Sequence, residues 1–205
     1  MPSFWIEALG FVAGIIGVFI AAPQLVRVVR LKSDAGVSLW TWLIITFSNA
    51  AWIGYGFRFD SPSQIGTNFL AGLLSGALTF VLLRSRVHDV WAVLIILAVW
   101  TLAFGSIMLE PVGLVSFEIM LGLTSRVPQV ATSFKSWRLG RITAVSNTSN
   151  VVAIVASGLW IIYAVITDLW TIAYFSGAVI VLTVLVMLFE AGARRRARYL
   201  VNEQS

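Results

Sequence analysis

Residues 49–60 read Asn49-Ala-Ala-Trp-Ile-Gly-Tyr-Gly-Phe-Arg-Phe-Asp60, and residues 157–168 read Ser157-Gly-Leu-Trp-Ile-Ile-Tyr-Ala-Val-Ile-Thr-Asp168. The two segments share a Trp-x-x-Tyr motif and a final Asp at an offset of 108 positions (160 − 52 = 108). At the same offset, Asn68 corresponds to Ser176. Several shared residues in one order indicate an internal duplication.

A Pro-Gln pair precedes each of these segments, at the point where an apolar run meets a basic one. Pro23-Gln24 recurs as Pro128-Gln129 at an offset of 105 (128 − 23 = 105), so the second copy has a loop three residues longer. The duplicated unit is then about 75 to 80 residues long. A unit of this size and composition is too short to be a water-soluble domain, and we interpret it as a membrane unit.

The composition supports a membrane protein. Of 205 residues, 59% are hydrophobic and 11% are charged, compared with roughly 25% charged residues in soluble proteins, and the mean hydropathy is +0.93. A membrane span needs about 20 mostly apolar residues, and seven segments approach that length. They are residues 5–26, 38–57, 65–83, 90–109, 111–130, 146–166 and 169–190. Because these segments lack the alternating pattern of a barrel, the sequence predicts an all-α membrane protein.

The positions of Lys and Arg predict the orientation. Basic residues follow the first, third, fifth and seventh segments, whereas Arg58 lies in a loop on the opposite side. Basic loops remain in the cytoplasm, so we expect an external N-terminus and a cytoplasmic C-terminus in a multi-pass protein of the plasma membrane. Because membrane orientation explains the basic residues, we expect no nucleic-acid partner.

Three helices per copy would place two directly joined copies in opposite orientations. The fourth apolar segment restores the direction, so the sequence predicts two parallel three-helix repeats joined by a linker helix, a 3+1+3 arrangement. The predicted divisions are a first repeat at 1–87, a linker helix at 88–110, a second repeat at 111–193 and a basic cytoplasmic tail at 194–205.

Trp52 and Asn68 lie eight residues before and after Asp60, and Trp160 and Ser176 bracket Asp168 in the same way. Across a helical hairpin, residues equidistant from the turn lie at similar depth. Indole faces and short polar groups at one depth suit a neutral, hydroxyl-rich solute. The alternatives are that the tryptophans anchor the membrane interface and that Asn68 bonds a neighbouring helix. Asn49 shares the helix face of Trp52 and is a secondary candidate.

Pro23 and Pro128 each remove a backbone donor near the cytoplasmic end of a helix. They are either hinges or simple helix terminators. Gln24 and Gln129 are placed to bond the carbonyl groups that the prolines leave without a donor.

Glu118 is a carboxylate deep in an apolar run, and it is the candidate for a proton site. Arg126 lies eight positions later and is able to reach the cytoplasmic surface. The sequence has no cysteine and no catalytic motif. We therefore expect no enzymatic activity, no metal and no cofactor.

The two Pro-Gln pairs, each followed by a basic loop, a Ser, a Trp-x-x-Tyr motif and an Asn or Ser on the next helix, resemble the PQ-loop superfamily. Within it, the 3+1+3 layout is similar to that of SWEET sugar transporters, and each half resembles a SemiSWEET. The resemblance implies helices packed in the order 1-3-2, facilitated sugar diffusion and a pocket at Trp52, Asn68, Trp160 and Ser176. Ser176 departs from the expected Asn, and the second helix lacks a proline often seen in the family.

The function predicted is the movement of a small neutral solute, a mono- or disaccharide, by alternating access in the lipid bilayer. One alternative is a proton-coupled carrier of an amino acid or another small metabolite that uses Glu118. Another is a PQ-loop receptor or assembly protein that does not transport. Two fused repeats provide a complete pathway in one chain, so a homo-oligomer is compatible with this prediction but not required.

Overall fold

The computed structural model describes residues 3–31, 37–109, 119–120, 122–140 and 147–202, and in these ranges the chain is helical apart from turns. The prediction of an all-α protein is therefore confirmed. The helices are α1 Phe4–Leu31, α2 Leu39–Arg58, α3 Pro62–Arg84, α4 Asp89–Leu109, α5 Val127–Leu139, α6 Asn147–Thr167 and α7 Trp170–Asn202. A 3-10 segment, Gly122–Arg126, precedes α5.

Capping residues and left-handed turn residues fix the ends of these helices. Ser38 precedes α2, and its side chain accepts a hydrogen bond from the Thr41 backbone N–H at 3.3 Å. Ser61 caps α3 in the same way. Asp60 and Asp168 turn the chain into α3 and α7 with φ angles of 49° and 56°, which aspartate tolerates better than most residues. The two turns therefore share an unusual backbone conformation.

The helices pack as two triplets with the same order. In the first triplet, α3 lies between α1 and α2. In the second triplet, formed by the 3-10 segment with α5, α6 and α7, the middle position belongs to α7. The triplets meet where α1 packs on α6 and where the 3-10 segment packs on α2, while α4 covers α2 and α3. This is the 1-3-2 order that the resemblance implies, and the first helical element of each triplet contacts the second helix of the other.

The two ends of the molecule differ in charge. The turns at 59–61 and 168–169 and the start of α1 lie at one end, which we call the hairpin end. The opposite end, which we call the basic end, carries the basic residues at the ends of α1 and α3 and those of α5 and the last turns of α7.

Glycines bring α1 close to α3. A Cβ atom added to Gly10 or Gly14 would collide with the side chains of Ser63 and Thr67, respectively. Small residues of this kind allow helices to approach where lipid provides no hydrophobic drive for association.

Four helical stretches in the described ranges are long and apolar enough to cross a membrane: Pro62–Arg84, Asp89–Leu109, Thr148–Thr167 and Trp170–Ala197. Phe4–Val18 is a shorter apolar stretch. α2 has 20 residues, but Trp, Thr, Ser and Asn interrupt its apolar residues. The seven-span arrangement therefore stays a prediction.

Several boundaries differ from those predicted. α1 continues past Pro23 to Leu31, and α7 continues to Asn202, so basic residues expected in loops lie on helices. Lys and Arg are good helix formers, and a helix that leaves the apolar layer can continue in water. In the segment predicted as a fifth span at 111–130, Ile119 and Met120 are α-helical, Gly122–Arg126 is a 3-10 segment and α5 begins at Val127, while residues 110–118 and 121 lie outside the described ranges.

Candidate functional site

Trp52 lies where the two triplets meet. It is on α2 and only 7% exposed. Its ring meets the ring of Phe175 on α7 edge-on, with centroids 5.2 Å apart, and that of Tyr55 at 5.3 Å. The contact with Phe175 joins the first triplet to the second. Trp52 therefore does not face lipid as an interface anchor would.

Trp160 occupies the equivalent position on α6. Its ring meets the ring of Tyr163 edge-on with centroids 5.4 Å apart, and it is half-buried. Trp52 belongs to a buried cluster that contains residues of both triplets, and Trp160 packs against the same cluster. The structure thus brings the two predicted tryptophans to one shared junction.

Asn68 and Ser176 lie on the middle helices of the two triplets. Asn68 is half-buried on α3, and its Nδ2 donates to the backbone oxygen and to Oε1 of Gln64, both at 2.8 Å. Ser176 is 5% exposed and directly follows Phe175, the residue that covers Trp52. The amide nitrogen of Asn68 is therefore used within α3, and its Oδ1 is the group left to accept a hydrogen bond from a solute.

Asn49 has a bond inside the first triplet. Its Nδ2 donates to the Ser75 hydroxyl at 3.1 Å, and that hydroxyl donates to the Gly72 carbonyl at 3.2 Å. In this conformation the Asn49 amide ties α2 to α3.

The two Pro-Gln pairs have different backbone surroundings. Pro23 and Gln24 lie within α1, which continues to Leu31, so Pro23 does not terminate its helix. Pro128 lies in the first turn of α5, directly after the 3-10 segment, and Gln129 is exposed. Neither proline is a simple terminator as the alternative prediction had it, and the hinge role of these four residues remains a prediction. Glu118 lies outside the described residues.

A hydrogen-bonded network that the sequence did not reveal joins the triplets at the hairpin end. The Tyr163 hydroxyl on α6 donates to Oε1 of Glu7 on α1 at 2.7 Å and lies 2.7 Å from the Ser61 hydroxyl. The other carboxylate oxygen, Oε2, accepts from the Ser63 backbone N–H at 2.7 Å. Glu7 thus holds the N-terminus of α3, where the helix dipole favours a negative charge, and at the same time the other triplet.

The equivalent tyrosine of the first triplet makes a simpler contact. Tyr55 interacts with the side chain of Thr171, near the start of α7 in the second triplet. Each triplet therefore places the tyrosine of its Trp-x-x-Tyr motif against the start of the other triplet's middle helix. The repeat of Trp-x-x-Tyr pointed to these tyrosines, but Glu7 had no counterpart in the sequence pattern, and its role became visible only from the packing of α1 on α6.

In the described part of the chain, no group of three His, Asp or Glu side chains is arranged to hold a metal ion. The described site consists of aromatic rings, hydroxyls and amides, together with the Glu7 carboxylate at its hairpin end.

Comparison with known proteins identifies two relatives. The chain is 30% identical over 84 residues to the sugar transporter SemiSWEET of Bradyrhizobium diazoefficiens, a match that covers 41% of this chain and 98% of that protein. A solved structure of a eukaryotic SWEET transporter aligns with a TM-score of 0.72 at 13% identity, over 92% of this chain and 98% of its own. No protein-family model matches the chain. The relatives and the apolar helices together identify a multi-pass membrane protein.

Proposed function

Because the chain belongs to the SWEET and SemiSWEET family of sugar transporters, we propose that it carries a mono- or disaccharide across the plasma membrane by facilitated diffusion. In this proposal the first triplet, α4 and the second triplet form seven spans in a 3+1+3 arrangement, divided at residues 87, 110 and 193. The N-terminus and the hairpin end face outside, and the C-terminus and the basic end face the cytoplasm, as the distribution of basic residues favours.

One observation carries the proposal: Trp52 and Trp160, from equivalent positions, pack on the same buried cluster between the triplets. A sugar held there would stack on the indole faces. The Oδ1 of Asn68 and the hydroxyl of Ser176 would bond its hydroxyl groups. The site needs no charge, which suits a neutral solute.

Alternating access supplies the mechanism. The two triplets would separate at one end while they close at the other. The bonds of Tyr163 to Glu7 and Ser61 hold the hairpin end together in this structure, so passage to that side requires them to break. Bending of the helices at Pro23-Gln24 and Pro128-Gln129, both toward the basic end, would accompany this motion.

Proteoliposomes that contain the purified protein test the proposal. With radiolabelled glucose and sucrose as probes, we expect Trp52→Ala and Asn68→Ala to slow sugar equilibration about tenfold or more, the effect of removing about 1.4 kcal/mol of interaction with the sugar. Trp40→Ala is the matched control, because Trp40 lies on the same helix and is 76% exposed. Equal flux in the Trp52 and Trp40 variants, with both folded, would contradict the proposed site.

A pH gradient across the same vesicles distinguishes uniport from proton coupling. A uniporter brings the sugar to equal concentration on both sides whatever the gradient. Accumulation above the outside concentration that collapses in Glu118→Gln would instead identify the proton-coupled alternative.

A further inference from the structure

The first triplet buries an apolar cluster toward its basic end, and the described residues of the second triplet form no equivalent cluster. The cluster consists of Val28, Trp42, Leu78 and Leu82. With an offset of 105 for the first helix and 108 for the other two, the corresponding residues of the second triplet are Ser133, Asn150, Val186 and Glu190. These four side chains are also buried. Three polar side chains therefore replace apolar ones at the corresponding positions of the repeat.

A small cavity is lined by Asn150, the residue that corresponds to Trp42 of the first triplet. Its enclosed volume is about 10 Å³, and its lining includes Arg126, Gln129 and Thr183. An enclosed space of about 10–15 Å³ holds one group of the size of a water molecule. The cavity therefore suits one small group and is separate from the proposed sugar site.

Two hydrogen-bond donors line this cavity without an acceptor. Asn150 is 6% exposed, and its Nδ2 has no hydrogen-bond partner. Arg126 forms no hydrogen bond or ion pair with any residue that the structure describes. The Thr183 hydroxyl already donates to the Val179 carbonyl at 2.7 Å. Asn150 is a buried donor that has lost its bonds to water, and the half-buried Arg126 guanidinium lines the same cavity. A buried donor without an acceptor is costly, so this place calls for a bound acceptor.

We propose that the cavity binds one small anion, or the anionic group of a larger molecule, through the Arg126 guanidinium and the Asn150 amide. Guanidinium and NH₂ groups only donate, and their strongest acceptors are ionised. α5 begins directly after Arg126, and its first N–H groups add positive partial charge on that side. A water molecule would accept from Asn150 but would leave the guanidinium charge unbalanced, whereas an anion satisfies both groups.

Among the described residues of α7, Glu190 is the carboxylate toward the basic end. It does not form an ion pair with Arg126. It lies one helical turn beyond Val186, about 6 Å farther along the helix axis, and the described structure has no ion pair between Glu190 and Arg126. Within the described residues, Arg126 therefore has no counter-ion. A free inorganic anion and the phosphate of an anionic lipid headgroup share the required chemistry.

Thermal unfolding of the purified full-length protein tests this site, and the readout does not depend on sugar transport. In detergent at constant ionic strength, sodium gluconate is replaced by sodium chloride or by sodium phosphate. In lipid nanodiscs, phosphatidylcholine is compared with phosphatidylglycerol. We expect a saturable rise of the unfolding midpoint in at least one series, lost in Arg126→Gln and in Asn150→Leu. Arg138→Gln, which removes an exposed arginine of the same helix α5, keeps the rise.

The series that responds identifies the source of the anion. A rise with chloride or phosphate indicates a free anion, and a rise with phosphatidylglycerol alone indicates a lipid headgroup. Either result supports the site if both cavity variants lose it. No rise in any series, or a rise that survives in both Arg126→Gln and Asn150→Leu, would overturn the proposal.

Discussion

The first and second triplets share a packing order and a turn geometry but bury different chemistry. Toward the basic end, the first triplet has Trp42 within an apolar cluster, while the second has Asn150 beside a cavity. The turns before α3 and α7 nevertheless have the same left-handed Asp. Helix lengths and turn conformations therefore define the architecture of each triplet, and the interior is free to differ within it.

At the hairpin end, the two triplets differ in the charge of the groups that their tyrosines bond. Tyr163 bonds both a carboxylate and a hydroxyl, whereas Tyr55 meets the Thr171 side chain. Two equivalent tyrosines thus hold the triplets together with unequal strength. We therefore expect the contact of Tyr163 to be the firmer of the two.

The largest effect is expected from a side chain forced between α1 and α3. Gly14 lies against Thr67, so Gly14→Leu places a branched side chain in occupied space. Overpacking typically costs about 1–3 kcal/mol and occasionally more. We expect Gly14→Leu to abolish the monodisperse peak in size-exclusion chromatography.

Gly17→Leu is the matched control for this change, because no described atom outside its own stretch of α1 lies within 4 Å of a Cβ added to Gly17. It should elute like the unmodified protein. A stable Gly14→Leu protein with an unchanged unfolding midpoint would show that α1 and α3 are not in close contact. The corresponding residue of the second triplet is Ile119, which already has a branched side chain. The test therefore concerns a close helix contact that depends on glycine in the first triplet but not in the second.

The next effect concerns the tyrosines at the hairpin end. Tyr163→Phe removes a hydrogen bond to a carboxylate, an interaction worth about 1.5–3 kcal/mol, whereas Tyr55→Phe removes one between neutral groups, worth about 0.5–1.5 kcal/mol. We therefore expect Tyr163→Phe to lower the free energy of unfolding more than Tyr55→Phe does. Reversible unfolding in mixed detergent micelles measures both values.

Labelling of one introduced cysteine checks the same contrast without unfolding. The sequence has no cysteine, so Ser61→Cys gives a signal without background, and Ser61 is completely buried in this structure. Opening of the hairpin end should make this thiol react faster in a Tyr163→Phe background than in a Tyr55→Phe background. Equal rates would show that the Glu7 bond does not hold this end closed.

The repeated motifs were sufficient to predict much of this architecture. Trp-x-x-Tyr at a fixed offset placed Trp52 and Trp160 at equivalent positions, and the structure brings both to one cluster. The apolar segments predicted helices because a chain in lipid must satisfy its backbone groups internally. The 3-10 segment Gly122–Arg126 was not predictable in this way, since hydropathy does not distinguish a 3-10 segment from an α-helix.

The polar partners were also beyond the sequence pattern. Glu7 binds residues 56 and 156 positions away, and only the packing of α1 on α3 and α6 brings them together. Asn68 was predicted to bond the solute, but its amide nitrogen donates a hydrogen bond to Gln64. A residue four positions earlier on a helix lies within reach of such a side chain. The spacing of residues in the sequence predicted the depth of a side chain along its helical hairpin but not its hydrogen-bond partner.

The smallest effect is expected from a threonine pair that only the first triplet possesses. Thr46 and Thr79 link α2 to α3 with their hydroxyls 2.9 Å apart, and Thr79 donates to the Trp42 carbonyl at 3.3 Å. The corresponding residues of the second triplet are Ile154 and Met187. Hydrogen bonds between membrane helices contribute about 0.6 kcal/mol on average. A double-mutant cycle with Thr46→Val and Thr79→Val should give a coupling energy of that size.

The two single variants should differ, and the difference follows from the direction of the bonds. Since the Thr79 hydroxyl donates to the Trp42 carbonyl, it accepts from Thr46. Thr46→Val leaves Thr79 with its bond to the carbonyl, whereas Thr79→Val leaves two groups without their partner. We expect Thr79→Val to reduce the free energy of unfolding more. The reverse order, or a coupling energy of zero, would mean that the hydroxyls do not bond each other and that both triplets join their second and third helices by apolar contact alone.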